Sequence, residues 1–397
     1  MNLKALPAVL LASALGIASH AAEAATPKPA CLAPAKWYAL DAAKPRAIDE
    51  AKIVAEMAQR DVVLLGEHHD ENDHHQWQLH TLAALHAVRP DMVIGFEAFP
   101  RRVQPVLDRW VAGELDPARF LREVEWEKVW NLPPDLYMPL FQFARIKRIP
   151  MVALNVEKSL TEAIAAKGWD AIDSKQREGV SRAAPPVAEY EEHLFNVFKE
   201  HGAARSGKGT LDKSDRRFRN FVEAQGTWDR AMAEALAARV KREGNTRPLA
   251  VGIMGAGHVR GGYGVAHQLR DLGVTRVGTL LPLDATAECA DIKTAMADAG
   301  FVLPAVPRSA LPPPRLGVRL ELKDKSVTIA NIEKGSLAEK SGLNAGDVVL
   351  MVAGTPAVSI ADVVGAVRSS PPGTWLPLQV RRGTSTLDLV VKFPPRA

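Results

Sequence analysis

The sequence predicts an α/β protein: a layered, largely parallel sheet that carries a helical insertion, followed by a small C-terminal β-rich domain. Three observations carry that prediction. Short apolar runs that read as buried strands alternate with amphipathic stretches of helical length, the pattern of strands joined by crossover helices. A proline-rich stretch, "LPAVPRSALPPP" at 303–314, then breaks the alternation and is too stiff and donor-poor to pack as an element. Beyond it come short strand-like runs, glycine turns and a single clear helix.

The elements follow in chain order. Residues 1–24 carry one lysine, an apolar stretch over 5–17 and a small-residue site at Ala22-Glu23-Ala24, which is the layout of a secretory signal peptide cleaved near Ala24. The apolar stretch is too short for a spanning helix, and no later stretch is long and apolar enough to be one. The mature chain is therefore expected in the periplasm, free or peripheral to a membrane. Cys31 lacks the aliphatic residue that a lipoprotein cleavage site wants ahead of it, so no lipid anchor is expected.

A large domain is placed at 33–285. Its strands are expected at 62–65, 92–96, 151–154, 249–254 and 274–281, strand-like runs rich in apolar residues, many of them β-branched. Helices are expected over 73–88 and 265–272, with amphipathic segments between 97 and 148. The long helical stretch at 157–243 reads as an insertion or lid whose aromatics, such as Trp169, Tyr190 and Phe218, are core. Residues 286–314 are taken as the interdomain linker. The last domain spans 315–393, with its helix at 360–368.

Composition narrows the function. The 397 residues carry a net charge of +4 from 50 basic and 46 acidic side chains. No basic run or aromatic-interleaved stripe stands out, so nucleic acid is not an expected partner. Cys31 and Cys289 are the sole cysteines, and a bridge between them is expected in a compartment that permits disulfides.

In a parallel sheet the binding crevice lies beyond the carboxyl ends of the strands, so the polar residues that end each apolar run are the candidates. "VVLLGEHHD" at 62–70 supplies Glu67, His68 and His69; "VIGFEAFPR" at 93–101 supplies Glu97; the run at 151–156 supplies Asn155. "GIMGAGHVRGGYGVAHQL" at 252–269 supplies His258, Arg260 and Tyr263. Two of these runs share the form Gly-x-x-His, at Gly66 to His69 and Gly255 to His258. Alternation along an extended strand forbids His68 and His69 from sharing a face, and the parallel with His258 favours His69. On the first helix, His80 and His86 read as ordinary positions, while His74 and His75 are candidates for supporting contacts.

Two chemistries suit this set. Zinc or manganese would take His69, His258, Glu67 and Glu97 as ligands, with Glu67 or Glu97 as general base in a metal-dependent hydrolase. Haem would want an axial His or Tyr and a cation such as Arg260 for its propionates. A Cys-x-x-Cys-His site is absent, so such a haem would be noncovalent. A serine nucleophile elbow and a dinucleotide glycine spacing are absent too.

The three quoted segments at 62–70, 93–101 and 252–269, together with "PLFQFARIKRIPMVALNV" at 139–156, resemble the ChaN family of haem-binding uptake proteins, in the superfamily of the Tiki and TraB proteins and the erythromycin esterases. The resemblance implies a periplasmic or membrane-associated protein that takes part in haem or iron uptake. It would hold haem at a dimer interface with tyrosine as axial ligand. The role falls to Tyr263, in the matching glycine-rich motif, with Tyr137 in reserve and His258 and Arg260 beside the haem. The same superfamily supplies the hydrolase alternative, since its enzymes carry paired Gly-x-x-His motifs and a glutamate.

The tail carries a second resemblance. "RLGVRL" at 315–320, "KGSLAEKSGLNAGDVVLMVAGTPAV" at 334–358 and "PPGTWLPLQVRRG" at 371–383 are similar to a PDZ domain of the bacterial envelope type. That implies a groove for a peptide or protein C-terminus, with Leu316, Gly317 and Val318 forming the carboxylate loop. A third possibility is then an envelope adaptor acting through this groove alone.

Overall fold

The computed structural model describes residues 31–41, 44–203, 212–240, 247–287, 292, 295–305, 315–324 and 326–395. The signal peptide and Cys289 lie outside them. Cys31 is disulfide-bonded, and the sequence holds one other cysteine. The chain divides into two compact units, Met1–Ala305 and Val306–Ala397.

The first unit is built on eight strands: β1 (Lys36–Ala39), β2 (Arg46–Ile48), β3 (Val62–Glu67), β4 (Met92–Pro100), β5 (Met151–Asn155), β6 (Leu249–Gly255), β7 (Val277–Asp284) and β8 (Ala299–Leu303). They lie in the order β2-β1-β8-β7-β3-β6-β4-β5. From β8 to β5 every neighbouring pair is parallel, while β1 runs antiparallel to both β8 and β2, the strand at the other edge. The helices are α1 (Glu50–Ala58), α2 (Asn72–Val88), α3 (Gln104–Ala112), α4 (Pro117–Glu123), α5 (Trp126–Val129), α6 (Met138–Lys147), α7 (Lys158–Lys167), α8 (Ala188–Ala203), α9 (Arg216–Val240), α10 (Ala256–Val259) and α11 (Val265–Asp271).

Alternation along the strands sorts their side chains onto two faces. Val63 and Leu65 of β3, Ile94 and Phe96 of β4, and Val251 and Ile253 of β6 join one core with residues of α1 to α6. Val62, Leu64, Val93, Ala250 and Met254 join a second core with residues of α9 and α11. Both faces are covered, which is why these strands read as unbroken apolar runs. Phe141 of α6 anchors the first core, its ring against Phe96, Phe99, Phe120 and Trp126.

Three expectations change. The stretch expected as linker, 286–314, contains β8, an integral strand of the large sheet. The helical insertion is three α-helices with an irregular, partly 3₁₀ segment over 168–187 between α7 and α8; Gly168 breaks the pattern there with φ 86°. The strands β1 and β2, four and three residues long, are too short to announce themselves; β1 forms on the edge that β8 offers and β2 on β1.

The second unit has β9 (Val318–Lys323), β10 (Ser326–Ile332), β11 (Val348–Val352), β12 (Thr355–Pro356), β13 (Trp375–Arg382) and β14 (Ser385–Lys392), with α12 (Leu337–Lys340) and α13 (Ile360–Arg368). Its antiparallel sheet runs β14-β13-β11-β10-β9, with β12 paired to β11. A capping box between Ser359 and Asp362 starts α13. Buried Asp347 is held by Arg382 at 2.8 Å from both of its oxygens and fixes the start of β11 against β13.

Among the described residues no helix is long and apolar enough to cross a membrane.

Candidate functional site

The tips of β3, β6 and β4 stand side by side, with Glu67 of β3 level with Gly255 of β6. Strand alternation sends their two carboxylates to opposite faces. Glu67 follows Val63 and Leu65 toward α2 and α6, whereas Glu97 follows Val93 toward α9. Each carboxylate has its own set of partners, and His69 lies between them at the rim.

Glu67 is 2 % exposed. The His69 Nδ1 lies 2.8 Å from its Oε1, and the Tyr137 hydroxyl donates to the same oxygen at 2.5 Å. His75 Nδ1, from the first turn of α2, stands 3.2 Å from Oε2, and its Nε2 reaches the His69 carbonyl at 3.1 Å. Burial alone would raise this carboxyl; the hydrogen bonds from His69, His75 and Tyr137, with the charge of His75, overcome it and hold it at about 2. Burial pushes both imidazoles down and the glutamate pushes them further up, so His69 and His75 end above the ordinary histidine value. Burial and the Glu67 charge together drive the Tyr137 hydroxyl well above its usual range. Tyr137→Phe is therefore expected to remove a charge-assisted hydrogen bond and about 1.5–3 kcal/mol of stability. Urea unfolding of the full chain checks this; an unchanged midpoint would contradict the assignment.

On the other face, Glu97 Oε2 accepts from the Gly255 amide at 2.7 Å, and its Oε1 lies 3.5 Å from His258 Nε2. His258 Nδ1 is 2.6 Å from Asp229 Oδ1, and the Tyr190 hydroxyl donates to Asp229 Oδ2 at 2.8 Å. Burial would discharge His258, but Glu97 and Asp229 flank it and push it up to about 10, so it is an imidazolium. Burial raises Glu97 while the charge of His258 and the Gly255 amide outweigh it, and its pKa falls. A side chain at Gly255 would place its Cβ 3.1 Å from the His69 ring, so the glycine is what allows the ring to lie over the strand tip. Trp130 meets His69 edge-on at 4.8 Å and Trp228 lies 5.0 Å from His258.

The structure thus brings Glu67, His69, Glu97 and His258 together, while His68 is exposed and turned toward His74. Asn155 is nearby, donating to the Glu97 carbonyl. Two expected haem contacts are corrected. Tyr137 is 1 % exposed with its hydroxyl committed to Glu67, so it serves as a support for the carboxylate and not as the reserve iron ligand. His258 is buried with its Nδ1 2.6 Å from Asp229 Oδ1 and its Nε2 3.5 Å from Glu97 Oε1, so both ring nitrogens face carboxylates of the chain itself. For the same reason the zinc or manganese set of His69, His258, Glu67 and Glu97 is corrected. These groups face one another, and among the described residues no three His, Cys, Asp or Glu stand as a ligand set.

Tyr263 lies apart from this array. It follows the turn at Gly261 and Gly262, both at positive φ, and is half-buried beside Tyr190, at a ring separation of 6.3 Å. It packs against the small aromatic cluster of Tyr190, Leu194 and Phe218, to which Phe195, Phe198 and Phe221 also contribute partly exposed rings. Its hydroxyl has no hydrogen-bond partner among the described residues. Arg260 is exposed three residues earlier, and its charge reaches His193 on α8 and lowers that imidazole's pKa, after burial.

The parts played by Asp229 and Tyr190 were not foreseen. A signal existed for Asp229: it occupies the apolar stripe of α9 with Met232, Ala233 and Leu236, and a charge on such a stripe needs a buried partner.

In the second unit, β9 is an edge strand. The Leu316 and Gly317 carbonyls accept from the Ala338 and Glu333 amides, while their own N–H groups donate to no described residue. Gly317 holds φ 74°, and a Cβ there would lie 2.4 Å from the Ser336 Cβ. A cavity of about 290 Å³ opens between this loop, Leu320 and Val363, Val364 and Val367 of α13, and its lining also carries the charged side chains of Arg315, Glu333 and Arg368.

Comparison with known proteins follows the two units. The family model described as haem-binding uptake, Tiki superfamily, ChaN matches residues 53–269, and the PDZ domain model matches 314–393. Among solved structures, one described as cofacial heme binding to ChaN of Campylobacter jejuni is similar with a TM-score of 0.50 and 18% identity, over 67% of this chain and 96% of that one. At that identity the likeness speaks for the fold. The HtrA-type protease AlgW with decapeptide is similar over 21% of this chain and 30% of its own, at 20% identity and a TM-score of 0.20. No curated protein matches. Because the first of these family models covers more than half of the chain, the protein belongs to the haem-binding uptake family ChaN of the Tiki superfamily, with a C-terminal PDZ domain.

Proposed function

We propose that the protein is a secreted, periplasmic haem-binding protein of haem or iron uptake, that Tyr263 is the axial ligand, and that the PDZ domain recruits a protein partner. The observation that carries the residue assignment is the unpartnered, half-exposed Tyr263 hydroxyl on an aromatic surface. The residues fit the group: partly exposed Phe195, Phe198 and Phe221 offer an apolar face for a porphyrin, and Arg260 offers a cation for a propionate. When bound, haem supplies a ferric iron, for which a phenolate oxygen is a suitable hard donor. An aromatic surface left partly open is also what a haem shared between two copies of the chain would need, which favours a homodimer in the loaded state.

The test is a hemin titration of the purified chain followed in the Soret band. A shift that saturates at a fixed ratio is expected, with Tyr263→Phe weakening binding by about tenfold or more and Tyr137→Phe leaving it unchanged. Retention of the wild-type spectrum in Tyr263→Phe would overturn the ligand assignment.

A second reading, hydrolysis, is favoured by one observation. His69 is the most open member of the array, its side chain 38 % exposed against 11 % for His258, with Glu67 on Nδ1 and no described residue bonded to Nε2. A histidine so oriented by a carboxylate can take a proton from water, and clusters of perturbed titratable groups at strand tips are frequent sites of chemistry. This reading predicts a turnover lost in His69→Ala and kept in Tyr263→Phe.

A further inference from the structure

A separate cavity lies in the first unit, beside the middle of β5 and not at its tip. It has a volume of about 410 Å³ and opens at the outer edge of that strand, the last of the sheet, between the turn that leads into α3 and the C-terminal half of α9. We propose that it binds a small organic monocarboxylate with an apolar body, the carboxylate held by Arg239 with the help of Arg101.

The outer edge of a sheet exposes N–H and C=O groups that invite another strand. At β5 the side-chain amide of Gln104 takes that place. Its Oε1 accepts from the Ala153 amide at 2.8 Å, and its Nε2 donates to the Met151 carbonyl at 2.8 Å and to Asp108 Oδ1 at 2.8 Å. With its oxygen and both N–H groups engaged, Gln104 closes this stretch of edge to a pairing peptide. What remains open beside it suits a small molecule.

The walls supply cations and hydrocarbon. Arg239 is half-buried, and its guanidinium has no ion pair or hydrogen bond among the described residues. Arg101 is fixed in place: Nη1 donates to the Glu178 carbonyl at 3.1 Å and Nη2 to the Ala231 carbonyl at 2.9 Å, with Glu234 Oε2 at 3.5 Å. Its Nε–H and one Nη1 hydrogen meet no acceptor among the described residues. Val152, Ala153, Ala235 and Ala238 complete the lining, which includes no acidic side chain.

Charge decides which anion fits. Glu234 already answers Arg101 and, through Oε1, Arg230, while the Glu178 carboxylate accepts from the Glu157 amide. Arg239 is the lining cation that no described carboxylate answers, so the cavity wants one negative charge. A carboxylate brings one and meets the planar fork of a guanidinium with two parallel bonds. A phosphate dianion would set a second charge near Glu234, and the Ala153 N–H that could have received it is taken by Gln104. The alanine and valine surface contributes when the ligand covers it with hydrocarbon and both leave water.

Equilibrium dialysis of the purified full chain with radiolabelled hexanoate tests this, with unlabelled hexanoate, hexanol, inorganic phosphate and dodecanoate as competitors. Hexanoate is expected to bind at a single class of sites with a Kd of about 1 mM or lower, and hexanol and phosphate to displace it about tenfold or more weakly than unlabelled hexanoate does. Arg239→Gln should weaken binding about tenfold and Arg239→Lys less, since lysine keeps the charge and loses the fork. Neither variant should move the urea midpoint or the hemin titration, which separates this site from the haem reading. Retention of the label by Arg239→Gln at the wild-type level, or no retention by the wild type, overturns the proposal. Phosphate competing as well as hexanoate overturns the choice of a carboxylate, and dodecanoate competing about tenfold better overturns the small ligand in favour of a lipid-derived acid.

Discussion

Replacing His258 by alanine is expected to cost about 3–5 kcal/mol of folding stability, because it strips the cation from between two buried carboxylates. Glu97 and Asp229 are 2 % and 0 % exposed, so neither can turn to water when the imidazolium is gone. The sign of the pH dependence follows from the raised pKa. A group lifted from 6.5 to about 10 on folding contributes its full stabilisation below the ordinary imidazole value and loses it as the pH climbs through about 10. Urea midpoints of wild type and His258→Ala should thus lie far apart near pH 6 and draw together above pH 10. Asp229→Asn placed on top of His258→Ala should recover part of the loss, since it removes one of the stranded charges. A single mutant as stable as wild type at pH 6 would refute the buried triad.

Glu67→Gln should remove from the first unit the acid sensitivity that Glu67 contributes. A carboxyl depressed from 4.5 to about 2 contributes stability that is complete above 4.5 and disappears as the pH falls through 2. The shift corresponds to about 3 kcal/mol, undiminished by screening because the side chain is 1 % exposed. Wild type should lose stability steeply between those pH values, while Glu67→Gln, less stable at neutral pH, should show a much flatter limb. Chemical unfolding at pH 2.5, 3.5, 4.5 and 6 reads the difference. Parallel limbs in the two proteins would mean that Glu67 is not the charged acceptor of His69, His75 and Tyr137.

The fold class was readable in the chain because strands buried on both faces leave no alternation to interpret, just runs such as 62–65 and 249–254. Both domains also carry motifs that a family resemblance could seize on, and the matching models agree. What escaped was whatever depends on partners distant in sequence. Nothing local marks 299–303 as a strand; it becomes one by lying between β7 and β1. The strand-end glutamates and histidines were legible as a set, yet their partition was not. Whether His258 is a ligand or a captive cation is decided by Asp229, 29 residues away on a helix expected to be plain core. Tyr137 illustrates the same point: a tyrosine near aromatic residues suggested a haem contact, and its burial against Glu67 gives it another task.

The pairing of β1 with β8 has a consequence for biogenesis. Residues 36–39 are made early and their partner, 299–303, some 260 residues later, so a nascent chain leaving the ribosome holds an edge with nothing to zip against until nearly the whole unit has been synthesised. A fragment cut at 285 would keep β7 but leave its outer edge bare, and would be expected to clump where a fragment ending at 305 remains monodisperse.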